Sequence, residues 1–362
     1  MRDKGSGDWY RLAAAALILL ISVVIAVRAT EKARRAGSAA DCVSLCHAQE
    51  ATETTVENAG RTKNGDADEA EPPETTDLTE TPADVLAMRR EFEDRYAVDE
   101  AEDAVREVFF VADYATDIVG DVAIRNKTET REPDFAALLE QGPDLTVEDA
   151  AAPTVLIFHT HTSESYALNG DGLFYPSQPT HRKQADRNML RIGTELCAVL
   201  ERRGVGVLHD TAVYDDEYEG AYARSREAVL RYLEEYPTLK IAIDVHRDAL
   251  KENGRHIKPT AVIDGKKAAQ VMIIAGTEEN GIEYPHWETN LRFALALQKT
   301  AQAKYMGLMK PVFFCPRRYN MDVTGNSLLL EFGTEVNTLE EAVYSARLMG
   351  DVLADVVLSA EE

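Results

Sequence analysis

VLIFHTHTSESY, residues 155–166, opens as four apolar residues and closes on hydroxyls, imidazoles and a carboxylate. A short, continuously apolar run reads as a strand buried on both faces, the kind found in parallel sheets. The chain has only eight histidines, and His159 and His161 stand together at the tip of this run. The same design recurs twice downstream. IAIDVHRD (241–248) ends in His246, Arg247 and Asp248, and LLLEFG (328–333) carries Glu331 inside an apolar strand.

Between these strands lie helical patterns. Asn188 to Arg203 places Met189, Ile192, Leu196, Val199 and Leu200 at helical spacing, with Gly204 as a stop. VGVL (205–208) reads as a strand, Ala221 to Glu235 as a helix ending before Pro237, and VMIIAG (271–276) as a strand. Trp287 to Lys304 reads as a helix and PVFF (311–314) as a strand. Thr338 to Leu358 is a closing helix whose Thr338 and Glu341 form a capping-box pattern. Strands alternating with helices predict an α/β domain, a mostly parallel sheet with helices on both faces, over residues 151–362.

The rest of the chain is organised around that domain. LAAAALILLISVVIAV (Leu12 to Val27) is uncharged, with Trp9 and Tyr10 before it and Arg28, Lys32, Arg34 and Arg35 after it. Its length and aromatic flank suit a transmembrane anchor within residues 1–35. A cleaved signal peptide is the rival reading, disfavoured because no small-x-small site follows. Basic residues on both sides leave its orientation undecided. Residues 36–81 read as a disordered linker, acid-rich from Ala48 onward and too polar to offset chain entropy. Residues 82–150 read as a mainly helical preface, with VAIRNKT (122–128) as a short strand and PDFAALLEQG (133–142) as a short helix ending at Gly142.

The bulk chemistry excludes some functions. With 39 basic and 63 acidic residues the formal charge is −24, which opposes non-specific nucleic-acid binding. Four cysteines, Cys42, Cys46, Cys197 and Cys315, are too few for a disulfide scaffold. Cys197 reads as a core residue, and Cys42 and Cys46 lack partner ligands nearby.

In open α/β sheets, ligands sit beyond the carboxyl ends of the strands. If the three loaded strands are neighbours, imidazoles and carboxylates converge. That set suits a catalytic zinc with three protein ligands and an open position for water. The expected ligands are His161, Glu164 and His246, with His159 as the alternative histidine, since residues i and i+2 of an extended chain point apart. Glu331 is the expected base, because an ionised carboxylate in an apolar strand is costly without a purpose or a partner. Asp244 and Asp248 are expected to orient the histidines.

These stretches, VLIFHTHTSESY, IAIDVHRDA, VMIIAGT followed by W-x-x-NL, and YNMDVTGNSLLLEFG followed by NTLEEA, resemble the stage II sporulation protein P family. The resemblance runs from about residue 150 to the C-terminus. It implies a fold similar to the zinc N-acetylmuramoyl-L-alanine amidases of cell-wall turnover. It also implies peptidoglycan hydrolysis, extending to peptide cross-links, in septal peptidoglycan degradation and engulfment during sporulation. A stage II sporulation protein D-like lytic transglycosylase would be the partner, and the catalytic domain would lie outside the cytoplasm on a single-pass membrane anchor. Arg247, Asn290, Asn320 and Asp322 would be candidates for binding glycan or stem peptide. Cell-wall amidases carry their glutamate ligand at the start of the following helix, where this chain has Gln184 and Asp186. Glu164 stands in for it, so the third ligand stays open. Two other functions compete: a non-catalytic wall-binding scaffold that recruits a glycan-cutting partner, and another metallohydrolase such as a deacetylase or carboxypeptidase. Products released from the wall separate all three.

Overall fold

A computed structural model describes residues 77–96, 101–129, 131–278, 281 and 283–361. The Leu12–Val27 segment, Cys42, Cys46 and nearly all of the linker lie outside the described residues. Among the described residues no helix is long and apolar enough to cross a membrane.

The strands in chain order are β1 (Asp103–Ala104), β2 (Arg106–Val108), β3 (Asp117–Val119), β4 (Val122–Asn126), β5 (Pro153–Phe158), β6 (Leu173–Phe174) and β7 (Gly206–His209). They continue as β8 (Ile241–Asp248), β9 (Lys251–Glu252), β10 (Arg255–Ile263), β11 (Lys266–Ala269), β12 (Val271–Gly276), β13 (Val312–Cys315) and β14 (Ser327–Thr334). The helices are α1 (Ala83–Arg95), α2 (Phe135–Gln141), α3 (Met189–Arg202), α4 (Ala221–Glu235), α5 (Trp287–Lys304) and α6 (Leu339–Leu358).

Eight strands form the central sheet in the order β3-β4-β13-β12-β14-β8-β5-β7. It is mostly parallel; β12 against β14 and β3 against β4 are the antiparallel pairs. The three strands with loaded ends are adjacent and run the same way, β14 beside β8 and β8 beside β5.

Alternation along these strands sorts the two faces. Val155 and Ile157 of β5, Ile241, Ile243 and Val245 of β8, and Leu328, Leu330 and Phe332 of β14 enter one large core with α3, α5 and α6. Leu156, Phe158 and Ala242 point the other way and meet Val229 of α4. Asp244, His246 and Glu331 share the parity of that second face. α6 is buried along almost its whole length. Its capping box forms as read, Thr338 accepting from Glu341 N and Glu341 accepting from Thr338 N.

Residues 82–150 are not a helical preface. Among the described residues the α-helices there are α1 and the short α2, with one 3-10 turn at Ala112–Tyr114. Val85, Met88 and Phe92 of α1 pack into the large core, and β3 and β4 complete the central sheet by covering the outer edge of β13. Val105, Val108 and Phe109 fall in and beside short strands rather than in a helix. β2 pairs with β10, because a partner strand far along the chain outweighs weak local periodicity. The β9-β10-β11 ribbon is a second departure. Its signals are two-residue turns, Asn253-Gly254 and Asp264-Gly265, all four residues at positive φ (51°, 82°, 50° and 77°). Such turns match the twist of antiparallel strands.

Candidate active site

The chain after β5 turns at once. Thr160 N and Oγ1 donate to Asp244 Oδ1 and Oδ2 at 2.9 and 2.6 Å, tying the tip of β5 to the middle of β8. Thr160 Oγ1 also meets Ser225 Oγ of α4 at 2.8 Å. This anchor separates the two histidines of the motif. His159 turns into the protein, with Nδ1 3.1 Å from Val245 O and Nε2 2.9 Å from His209 Nε2. Both its ring nitrogens are engaged, so the structure does not offer it as the alternative ligand. Burial and the neighbouring His209 ring push its pKa well below the usual value.

His161 faces the other way, toward His246. The ring centroids are 5.4 Å apart and nearly perpendicular. Burial and the His246 ring lower the His161 pKa. His161 Nδ1 is buried with no hydrogen-bond partner. His246 lies between two acids. Its Nδ1 is 3.4 Å from Glu164 Oε2 and its Nε2 2.8 Å from Asp244 Oδ1, the latter off-axis for a hydrogen bond. Burial alone would lower the His246 pKa; the two carboxylates outweigh it and hold the ring well above the ordinary range. Glu164 also accepts from Arg247 N at 3.3 Å. Burial would raise its carboxyl, but Arg247 and His246 bring it down to about 2.

Glu331 pairs in register with His246 across β14 and β8, so the side chains are neighbours on one face. Its Oε2 is buried without a hydrogen bond. Burial and the nearby Asp248 push the carboxyl up to about 8, against the opposing pull of His246 and Lys310. Asp248 accepts from Ala249 N and from Lys310 Nζ at 2.8 and 3.3 Å, so it holds a lysine rather than a histidine. Asp244 does face His246.

The four expected substrate contacts are placed differently. Arg247 donates to the carbonyls of Ser165, Asp248 and Thr180 and clamps the loop after β5. Asn290 donates to Tyr284 Oη and Met321 O and accepts from Ser327 N. Asn320 donates to Tyr222 O and Ser225 Oγ. Asp322 is held by Arg226 and Arg318. All four side chains make hydrogen bonds or ion pairs within the protein.

Aromatic rings were the feature the sequence hid. Tyr218 stacks on His161 at 4.8 Å and 4°. Tyr222 meets His161 edge-on at 5.5 Å, lies parallel to His246 at 6.5 Å and stacks on Tyr319 at 5.4 Å. Tyr218 belongs to an acidic loop without periodicity, and Tyr222 to the first turn of α4, so neither carries a local signal of function.

Two imidazoles and a carboxylate are a donor set that zinc accepts, and the unpartnered His161 Nδ1 is a nitrogen that a cation would satisfy. Among the described residues, no group of three or more His, Cys, Asp or Glu side chains is yet disposed to hold a metal ion in this arrangement. Both His246 nitrogens face carboxylates, which favours the protonated ring, and a cation would have to displace that proton. The residues are thus of the kinds that zinc accepts.

The fold and site together define an α/β protein with a buried histidine–carboxylate cluster where adjacent strands β5, β8 and β14 meet. The chain belongs to the stage II sporulation protein P (SpoIIP) family, whose profile matches residues 31–354. The stage II sporulation protein P of Bacillus subtilis (strain 168) is 31% identical over 220 residues, covering 58% of this chain and 52% of that protein. The chain thus spans about half the length of this curated relative. Solved structures with some likeness include the N-acetylmuramoyl-L-alanine amidase AmiC2 of Nostoc punctiforme, at 15% identity and a TM-score of 0.34, covering 58% of this chain and 97% of that one. The N-acetylmuramoyl-L-alanine amidase of Clostridium difficile 630 follows at 16% and 0.33, covering 58% and 96%. At these scores the likeness carries no argument.

Proposed function

We propose that this chain is a zinc-dependent N-acetylmuramoyl-L-alanine amidase, with endopeptidase action on peptide cross-links, that degrades septal peptidoglycan during sporulation. The observation that carries the reading is the meeting of His161, Glu164, His246 and Glu331 on adjacent strands far apart in sequence. Membership of the SpoIIP family supports the cellular setting. In this reading His161, Glu164 and His246 hold the ion, and Asp244 orients His246 from behind. The bound ion would supply an electrophile for the substrate carbonyl and a more acidic water. Glu331 takes the proton from the attacking water and returns it to the departing amine. A carboxyl raised toward neutrality suits both halves of that transfer. Anchorage through Leu12–Val27, an extracytoplasmic catalytic domain and a lytic transglycosylase partner of the stage II sporulation protein D type belong to the same proposal.

The purified full-length chain should release stem peptides from sacculi and stop in a chelator. His246→Ala should lose both activity and bound zinc. Mass spectrometry of the products decides the reaction: loss of an acetyl group or of a single terminal residue would replace the amidase reading. No product at all, with wall binding kept, would favour a scaffold.

A further inference from the structure

We infer that Tyr218 is a sugar-binding platform at the mouth of the site, so that the substrate is recognised by its glycan as well as by its peptide. This rests on the wall-hydrolase reading above and deepens it. Tyr218 packs one face flat on His161 and yet remains 56% exposed. Its outer side therefore faces solvent one ring's thickness from a proposed ligand. An aromatic face is electron-rich, and it attracts the polarised C–H face of a pyranose as it does the edge of another ring.

The ring is held in place before any ligand arrives. Arg224 donates from Nε to Tyr214 O at 2.9 Å and from Nη1 to Glu219 O at 3.0 Å, and Nη2 reaches Tyr214 O and Glu217 O. A single guanidinium thus clamps the backbone on both sides of Tyr218. Asp215 fastens the same loop to the turn after β5 by accepting from Ser163 N at 3.0 Å and Ser163 Oγ at 2.5 Å. A fixed aromatic plane loses little freedom on binding, which is what a weak stacking contact needs. Glu217 and Glu219, on either side of the ring in sequence and exposed, offer carboxylate acceptors for sugar hydroxyls.

The test uses the full-length chain carrying Glu331→Gln, titrated with N-acetylglucosamine tetramer, alongside kinetics on sacculi with Glu331 intact. Tyr218→Phe, which keeps the ring, should bind like the parent, and Tyr218→Ala should bind about tenfold more weakly. On sacculi, Tyr218→Ala should raise KM by a similar factor with kcat little changed. Parent protein that ignores the tetramer, or an alanine variant that binds it equally well, overturns the inference. So does an alanine variant that lowers kcat and zinc content with KM unmoved, since Tyr218 would then only support His161. Tetramer binding that depends on Tyr218, in a chain that hydrolyses nothing, would leave the platform standing and remove the amidase reading.

Discussion

Replacing Glu331 with glutamine should remove most of the stability that the protein loses between about pH 5 and about pH 7.5, while ending its activity. The carboxyl of Glu331 is pushed up to about 8 from an ordinary 4.5. A folded state that holds its proton more tightly than the unfolded chain is most favoured in acid and loses stability as pH rises between those two values. At about pH 5 the unfolded carboxyl is already mostly ionised and the folded one protonated, but the stability lost by then is only about 1 kcal/mol. At about pH 7.5 the unfolded chain is ionised while the folded one is still largely protonated, and the shortfall reaches about 4 kcal/mol at 1.36 kcal/mol per pKa unit. Subtracting the part already present at about pH 5 leaves about 3 kcal/mol lost over that interval. Glutamine does not titrate, so any fixed cost of burying its amide cancels in the comparison. Denaturant unfolding of both proteins with chelator present, at the two pH values, measures the difference directly. The glutamine variant should gain on the parent by about 3 kcal/mol between them. A gap that is the same at both values would refute the claim that a buried, uncompensated carboxyl stands at this position. Full hydrolytic activity in the variant would remove Glu331 as the base.

Other perturbations probe the frame that holds the site. A Cβ on Gly193 would lie 2.4 Å from His209 Nε2 and 2.5 Å from His159 Nε2. Gly193→Ala must therefore break the His159–His209 contact and should cost about 2 kcal/mol, read as a lower midpoint in thermal or denaturant unfolding; an unchanged midpoint would mean the rings have room to move. The same histidine pair makes the fold acid-sensitive. Burial lowers the His209 pKa from 6.5 to about 4, so the unfolded chain binds the proton first as pH falls. Stability is complete above about 6.5 and is lost toward about 4, by about 2 kcal/mol once partial exposure is allowed for. His209→Leu should lose that much less on acidification, and an equal loss would point to other groups.

The sequence by itself determined the α/β alternation, because each core strand is a continuous apolar run and each flanking helix carries an apolar stripe. VMIIAG, Ala221–Glu235, Trp287–Lys304 and the capping box at Thr338 appear in the structure where the residues place them. It also singled out His161, Glu164, His246 and Glu331, since polar residues at the ends or in the middle of apolar strands are unusual enough to see without coordinates. Only the tertiary structure decided which of two nearby histidines faces the cluster. The Thr160–Asp244 anchor is made across strands and leaves no local mark. The same holds for Arg247, Asn290, Asn320 and Asp322, whose side chains find backbone and side-chain partners that lie near only in space. It holds for Tyr218, whose loop is tied by a guanidinium on α4 and whose ring stacks on His161, and for β3 and β4, which join a sheet edge formed by β13 almost two hundred residues away. Periodicity reports how one segment meets an apolar interior; which partner a polar group or an edge strand finds is settled only when distant segments are packed together.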